Sequence, residues 1–176
     1  MPDDDLRYPT GKFDITQPVS EEQLNQYILS IAQLPGKVRQ ALTGMTDEQL
    51  DTPYRPGGWT VRQVVHHLPD SHLNGYIRQK LALTEDSPTI KPYDEAAWAG
   101  LPDSMQGDPQ ISVALLEALH QRWVLLLKSL TPAQLDRTFL HPQNGQQSIR
   151  QHIGLYAWHG EHHLAHITAL KERENW

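Results

Sequence analysis

The chain of 176 residues contains no cysteine. This absence excludes disulfides, thiolate metal ligands and a cysteine nucleophile, so any thiol chemistry needs a thiol from outside the protein. No apolar run of membrane-spanning length and no signal peptide are recognisable, which predicts a cytoplasmic protein without a membrane partner. The 15 Lys and Arg against 21 Asp and Glu leave a net charge of −6, and no segment collects the basic residues. Nucleic-acid binding is therefore not indicated.

Alternating β-branched residues are also scarce, which leaves little from which to build a sheet. Helix-start signals are frequent instead. A capping box, Ser or Thr with Gln three residues later, occurs at Ser20 and Gln23, Thr46 and Gln49, Thr60 and Gln63, and Ser148 and Gln151. Apolar residues spaced by three and four predict four amphipathic helices, and Thr131 before Pro132 predicts a further short one. The predicted fold class is all-α, a four-helix bundle.

The distribution of Pro, Gly and Asp divides the chain. Residues 1–19, with an acidic PDDD run, are predicted to be an N-terminal extension, and residues 20–176 a single domain. The segment 84–110 is too long for a tight helix hairpin and long enough to run back along a bundle, so the second and third helices are predicted to be parallel. Pro35 lies within the first helical pattern and is expected to kink or divide that helix.

Histidine is abundant, and four of its ten copies lie in the stretch WHGEHHLAHI. Residues four apart on a helix face the same side, so His159 and His163 can reach one metal ion from the core side of the last helix. In the second helix His67 lies beside the apolar stripe. A three-histidine site built from these two helices would leave positions open for water or substrate, which is typical of catalytic metal centres.

Other interpretations of these residues remain open. A single buried histidine is more often a hydrogen-bonded core residue, and pairs four apart also arise by chance on His-rich helices. HGEHH is not the HExxH motif of zinc peptidases, because Glu161 is predicted to point away from the face that carries the pair.

The flank of the second helix that carries His67 continues through Ser71, Asn74 and Arg78, a polar row typical of a lined cavity.

Three long motifs, DTPYRPGGWTVRQVVHHLPDSHLNGYIR, KPYDEAAW and LYAWHGEHHLAHI, resemble the YfiT branch of the DinB superfamily. The resemblance extends over nearly the whole chain. It implies an up-down-down-up four-helix bundle, a homodimer, and one divalent metal per subunit, zinc or nickel, bound by His67, His159 and His163. The sequence departs from the family at Pro69, where HHLAD has alanine, and this proline is expected to bend the second helix.

The resemblance implies two chemistries. In the first, the enzyme is a low-molecular-weight thiol S-transferase, bacillithiol-like, in which the metal activates the thiol for attack on an electrophile, and Asn74 and Arg78 bind a carboxylate of the thiol. The alternative is a metal-dependent hydrolase using metal-bound hydroxide, with Asp70 as general acid or base, or as a group that orients a ligand. A second alternative is a non-catalytic helical binding module that uses the metal as a staple.

Overall fold

Capping boxes mark where helices begin in the computed structural model, which describes residues 6–176. The PDDD run of the predicted N-terminal extension lies outside the described residues. From Ser20 onward the elements are α1 (Glu21–Leu42), α2 (Asp47–Leu50), α3 (Val61–Thr84), α4 (Glu95–Ala99), α5 (Pro102–Gln106), α6 (Pro109–Lys128), α7 (Pro132–Leu135), β1 (Thr138–His141), β2 (Gly145–Ser148) and α8 (Ile149–Glu174). All four predicted boxes form, and so does one at Thr131. Within residues 6–176, no helix has both the length and the apolar character needed to cross a bilayer.

The four long helices α1, α3, α6 and α8 form the bundle. Helices α1 and α8 run parallel, because Arg150 pairs with Glu21 at 2.7 Å near their starts, and Lys171 donates to the carbonyl of Ala41 near their ends. Interhelical contacts of this kind fix the direction of each helix without reference to the connecting loops.

Helices α3 and α6 also run parallel. His66 meets Ser112 near the start of both helices, and Trp123 donates to Gln79 towards their ends. Gln79 also contacts His152 near the start of α8, so α3 and α8 are antiparallel. The predicted up-down-down-up bundle, with its long connection between the second and third long helices, is confirmed.

Two prolines lie inside long helices without dividing them. Helix α1 continues through Pro35 and α3 continues through Pro69, and both prolines are buried. Each removes one backbone donor from its helix, so a carbonyl one turn earlier loses its usual partner. Of the two effects predicted for Pro35, a kink or a division of the first helix, the division is therefore wrong.

A small hairpin interrupts the helical pattern, although the sequence has few β-branched residues from which to build a sheet. Strands β1 and β2 are antiparallel, and Gly145 adopts a positive φ of 77° at the start of β2. Leu140 in β1 also donates to the carbonyl of Pro88 and accepts from the amide of Ile90. The hairpin thereby fastens the long connection between α3 and α6 to the end of the bundle.

Residues 6–19 lie along α8. Trp158 donates to the carbonyl of Gly11 at 3.1 Å, and His166 contacts the carbonyl of Arg7 at the same distance. The predicted boundary at residue 20 coincides with Ser20, the N-cap of α1. The division into extension and domain stays a prediction, but the described part of the extension contributes to the surface around the histidines of α8.

Candidate metal centre

The structure brings together the three histidines that the resemblance implies as ligands. Helix α3 supplies His67, and α8 supplies His159 and His163, one turn apart. One ring nitrogen of each lies within 4.8 Å of the others. The Nε2 atoms of His67 and His159 are 3.2 Å apart. Two nitrogens that bind a tetrahedral zinc at 2.0–2.1 Å lie about 3.3 Å from each other, so this spacing fits a shared divalent ion.

The electrostatic environment keeps these rings neutral. Burial, reinforced by neighbouring histidines, lowers the pKa of His67 to about 4, and it lowers the pKa of His159 and His163 well below the usual range. The Nδ1 atom of His163 is buried and has no hydrogen-bond partner in the described part of the chain. Neutral imidazoles with available lone pairs are the form that binds a cation, so the donor set suits a metal.

Aromatic and polar side chains surround the cluster. The ring of Trp59 lies 4.7 Å from that of His67 and stacks at 6.2 Å over that of His163. The hydroxyl of Ser71, one turn after His67, is 3.4 Å from Nε2 of His159. The cluster therefore contacts an indole at His67 and His163 and a hydroxyl at His159.

Two further histidines of α8, His162 and His166, form an adjoining group. His162 and His166 offer ring nitrogens within 4.8 Å of one from His163. His166 stacks on Tyr54 with ring centroids 3.9 Å apart, and its Nε2 donates to the carbonyl of Arg7. Both rings are buried rather than exposed. They pack the wall of the site beside the three candidate ligands.

Two side chains face away from the cluster, and one of them, Glu161, does so as predicted. Glu161 accepts hydrogen bonds from Ser30 and Lys37 of α1, on the opposite side of α8. His66 contacts the hydroxyl of Ser112 at 2.7 Å and the carbonyl of Gly107. Neither side chain is a candidate ligand.

Two cavities meet at the cluster. The larger, about 740 Å³, is called here the arginine cavity and is lined by Ser71, Arg78, Tyr93, His141, Tyr156 and His159, among others. The smaller, about 420 Å³, is called the aromatic cavity and is lined by Tyr8, Tyr54, Trp59, His67, Trp158 and His163, among others. His159, Glu95 and Ala96 line both cavities. A molecule in either cavity can thus approach the candidate metal ligands.

The remaining predicted site residues separate into different environments. Arg78 lines the arginine cavity and forms no ion pair or hydrogen bond with any residue between 6 and 176. Asn74 donates to the backbone carbonyl of Asp70 at 2.9 Å and lines neither cavity. Burial and the charge of Asp103 raise the pKa of Asp70 to about 6, but this carboxyl also lines neither cavity. Of these three, only Arg78 is in position to contact a bound molecule.

Sequence reasoning missed Glu95. It is the first residue of α4, which is capped by Asp94 accepting from the amide of Ala97. Glu95 lines both cavities, as His159 does. The one sequence signal for Glu95 is the KPYDEAAW motif that contains it. This motif lies in the connection between two long helices, and its sequence does not reveal which part of the bundle it covers. Position in a long connection depends on tertiary contacts, which local sequence patterns do not reveal.

Fold and site together define a class: helical bundles with a largely buried histidine cluster built from two antiparallel helices. The chain belongs to the DinB superfamily, whose sequence profile matches residues 30–167.

Similar proteins come from several Bacillus species. Proteins of Bacillus mycoides (strain KBAB4) and Bacillus cereus (strain 03BB102), each named "putative metal-dependent hydrolase", are 55% identical over 172 residues, covering 98% of this chain and 99% of theirs. The solved structure of YfiT from Bacillus subtilis, described as "a probable metal-dependent hydrolase with an unusual four-helix bundle topology", is 52% identical with a TM-score of 0.95. That comparison covers 98% of this chain and 99% of the YfiT chain.

Proposed function

We propose that the protein is a metal-dependent enzyme in which His67, His159 and His163 hold one divalent ion, zinc or nickel. The 3.2 Å between two Nε2 atoms and the neutral state of all three rings support this assignment. The names of the Bacillus relatives agree with it. Three protein ligands leave a coordination position of the ion open to a group that enters from either cavity.

Within this class we propose a low-molecular-weight thiol S-transferase. The observation that carries the proposal is the meeting of two cavities at one histidine cluster, with the Arg78 guanidinium in one of them and no partner for it among residues 6–176. Arg78 would bind a carboxylate of the thiol in the arginine cavity, because a carboxylate matches the donors of a guanidinium. The rings of Tyr54, Trp59 and Trp158 would hold an apolar electrophile in the aromatic cavity.

The reaction needs no side-chain nucleophile, in agreement with the absence of cysteine. When bound, the metal supplies a Lewis acid that lowers the pKa of a thiol and favours the thiolate. With a bromobimane as electrophile, the thiol gives its proton to the buffer, its sulfur forms a bond to carbon while the carbon–bromine bond breaks, and bromide leaves with the electron pair. With an epoxide, the ring oxygen takes the electrons and then a proton. The chain contributes orientation of both partners and exclusion of bulk water.

The test of the transferase compares two thiols. Metal-loaded protein is incubated with monobromobimane and either mercaptosuccinate, which carries carboxylates, or 2-mercaptoethanol, which does not. In Arg78→Met we expect KM for mercaptosuccinate to rise about 10-fold or more, since a hydrogen bond to a charged group contributes about 1.5–3 kcal/mol. Turnover of 2-mercaptoethanol and metal content should not change. Arg122→Met, which removes an exposed arginine of α6, is the matched control.

The second candidate is a metal-dependent hydrolase, which the names of the relatives favour. Glu95 borders both cavities and could take a proton from water. Turnover of an activated ester without any thiol would replace the transferase assignment with this one. Loss of that turnover in Glu95→Gln but not in Asp70→Asn would place the base at Glu95, and the reverse would place it at Asp70, as the sequence predicts.

A non-catalytic metal staple between α3 and α8 is the third candidate, because the proposed ligands join these two helices. It predicts that metal raises thermal stability while neither thiols nor esters are turned over. The cavities on both sides of the cluster favour the enzymatic candidates over this one.

A further inference from the structure

A proline in α1 prepares a hydrogen-bond acceptor in the bundle core. In an α-helix the carbonyl of one residue accepts from the amide four residues later, and Pro35 has no amide hydrogen for the carbonyl of Ile31. The helix nevertheless continues through this position. The Ile31 carbonyl instead meets Nδ1 of His120 in α6, at 2.5 Å. The lost helical bond is thereby replaced by a bond between helices.

This acceptor fixes the direction of a series of bonds through three histidines. A carbonyl can only accept, so His120 donates from Nδ1, and its Nε2 carries the lone pair of a neutral ring. That Nε2 lies 2.8 Å from Nδ1 of His72, which must therefore be the donor. The Nε2 of His72 in turn lies 3.2 Å from Nδ1 of His159 and accepts from it.

The series ends at the candidate metal centre. Because the proton of His159 lies on Nδ1, its Nε2 carries the lone pair, and this is the atom 3.2 Å from Nε2 of His67. His72 and His120 are almost completely buried, with 0% and 1% of their surface exposed, and they line neither the arginine nor the aromatic cavity. They are thus placed to act on His159 and not on a substrate.

We infer that Ile31, His120 and His72 are positioning residues that fix the tautomer and ring orientation of His159, with Pro35 leaving the first acceptor available. The inference rests on the proposed ligand set. A ligating histidine binds metal through an unprotonated nitrogen while its other nitrogen donates to a second group, and loss of that group weakens metal binding by about 10- to 100-fold. Without the series, either nitrogen of His159 can carry the proton.

Substitutions at His120 separate this role from simple packing. In His120→Phe the ring volume is largely kept, but His72 loses its acceptor. In His120→Gln the amide can donate to Ile31 and its oxygen can accept from His72, so the direction of the series is restored. His152→Gln is the matched control, because His152 is equally buried on α8 and contacts Gln79 outside the series.

The first measurement is Zn²⁺ affinity, by competition with a chromogenic chelator. We expect affinity about 10- to 100-fold weaker in His120→Phe, and close to wild type in His120→Gln and His152→Gln. Circular dichroism and thermal melting of each metal-free variant show whether it is folded. Wild-type affinity in folded His120→Phe, or equal weakening in His120→Gln, would overturn the inference.

The second measurement needs neither metal nor a variant. Long-range proton–nitrogen NMR of the metal-free wild-type protein reports which nitrogen of each histidine is protonated. We expect the Nδ1–H tautomer for His120, His72 and His159. An Nε2–H tautomer at His159 would overturn the inference even if Zn²⁺ binds tightly. Failure of the wild type to bind any divalent ion would instead contradict the proposed function, while the NMR result would still decide the tautomers.

Discussion

Acid is expected to destabilise the metal-free protein steeply below pH 6.5. Burial lowers the pKa to about 4 in four histidines and to about 3 in His152, whereas an unfolded chain titrates near 6.5. The four are His67, His120, His162 and His166. Between pH 6.5 and 4 the unfolded chain therefore binds protons that the folded chain does not, and the free energy of unfolding falls as the pH falls.

The magnitude follows from the pKa differences. At pH 5 each of these five histidines lowers the free energy of unfolding by about 2 kcal/mol. Asp70 acts in the opposite direction, because its folded pKa of about 6 lies above the ordinary value of 3.8, so folding takes up one proton in this range. These five histidines less the aspartate leave about four net protons, a slope of about 5 kcal/mol per pH unit. The buried rings of His72, His159 and His163, whose pKa values also lie well below the usual range, make the slope steeper still. A domain with a typical stability of about 5–15 kcal/mol is then close to unfolding at pH 5.

Urea denaturation at pH 7, 6, 5.5 and 5, with a chelator present, measures this slope. His152→Gln keeps an acceptor for Gln79 but removes one titrating ring. We expect its slope to be smaller than that of the wild type by about 1.4 kcal/mol per pH unit. Equal stability of the wild type at pH 7 and pH 5, or an unchanged slope in His152→Gln, would refute the reasoning.

Three further outcomes are expected. A Cβ on Gly75 would overlap the ring of Tyr156, so Gly75→Ala should lower the free energy of unfolding, measured by urea titration, by about 1–3 kcal/mol. Gly36→Ala, where the space is open within α1, should be neutral or stabilise by up to about 1 kcal/mol, and a cost similar to that of Gly75→Ala would contradict the packing argument. Arg62 is buried and donates hydrogen bonds to two aspartates and a carbonyl, so Arg62→Met should lower the free energy of unfolding by about 2 kcal/mol. Arg39→Met, which removes an exposed ion pair, should lower it by less than about 0.5 kcal/mol. The homodimer implied by the resemblance should appear as twice the chain mass in light scattering, and a monomer at micromolar concentration would contradict it.

Local signals predicted much of the bundle. Capping boxes depend on side chains three residues apart, so Ser20, Thr60 and Ser148 each identify the start of a long helix from sequence alone. Helical periodicity likewise places His159 and His163 on one face. The participation of His67 could not be derived from spacing, because it depends on the antiparallel packing of α3 against α8. Periodicity places His67 only beside the apolar stripe of its own helix, and the resemblance to the DinB superfamily implies it as a ligand.

Features that depend on tertiary contacts could not be predicted from the sequence. The hairpin at 138–148 has few β-branched residues and is held partly by the connection that runs beside it. The sequence predicts only that Pro35 disrupts α1, whereas in the structure Pro35 leaves the carbonyl of Ile31 able to accept from His120 across the core. The position of Asp70 shortly after His67 makes it the natural candidate for a general base, but Asp70 lines neither cavity. Glu95, which the sequence does not single out, lines both.

The most direct test of the account is the metal content of protein purified without an affinity tag, measured by elemental analysis. The wild type is predicted to hold one divalent ion per chain. His159→Ala should lose that ion while its far-ultraviolet circular dichroism stays helical, and His166→Ala, in the adjoining group, should keep it. Retention of the ion in folded His159→Ala, or its absence from the wild type after incubation with zinc and nickel, would contradict the three-histidine centre.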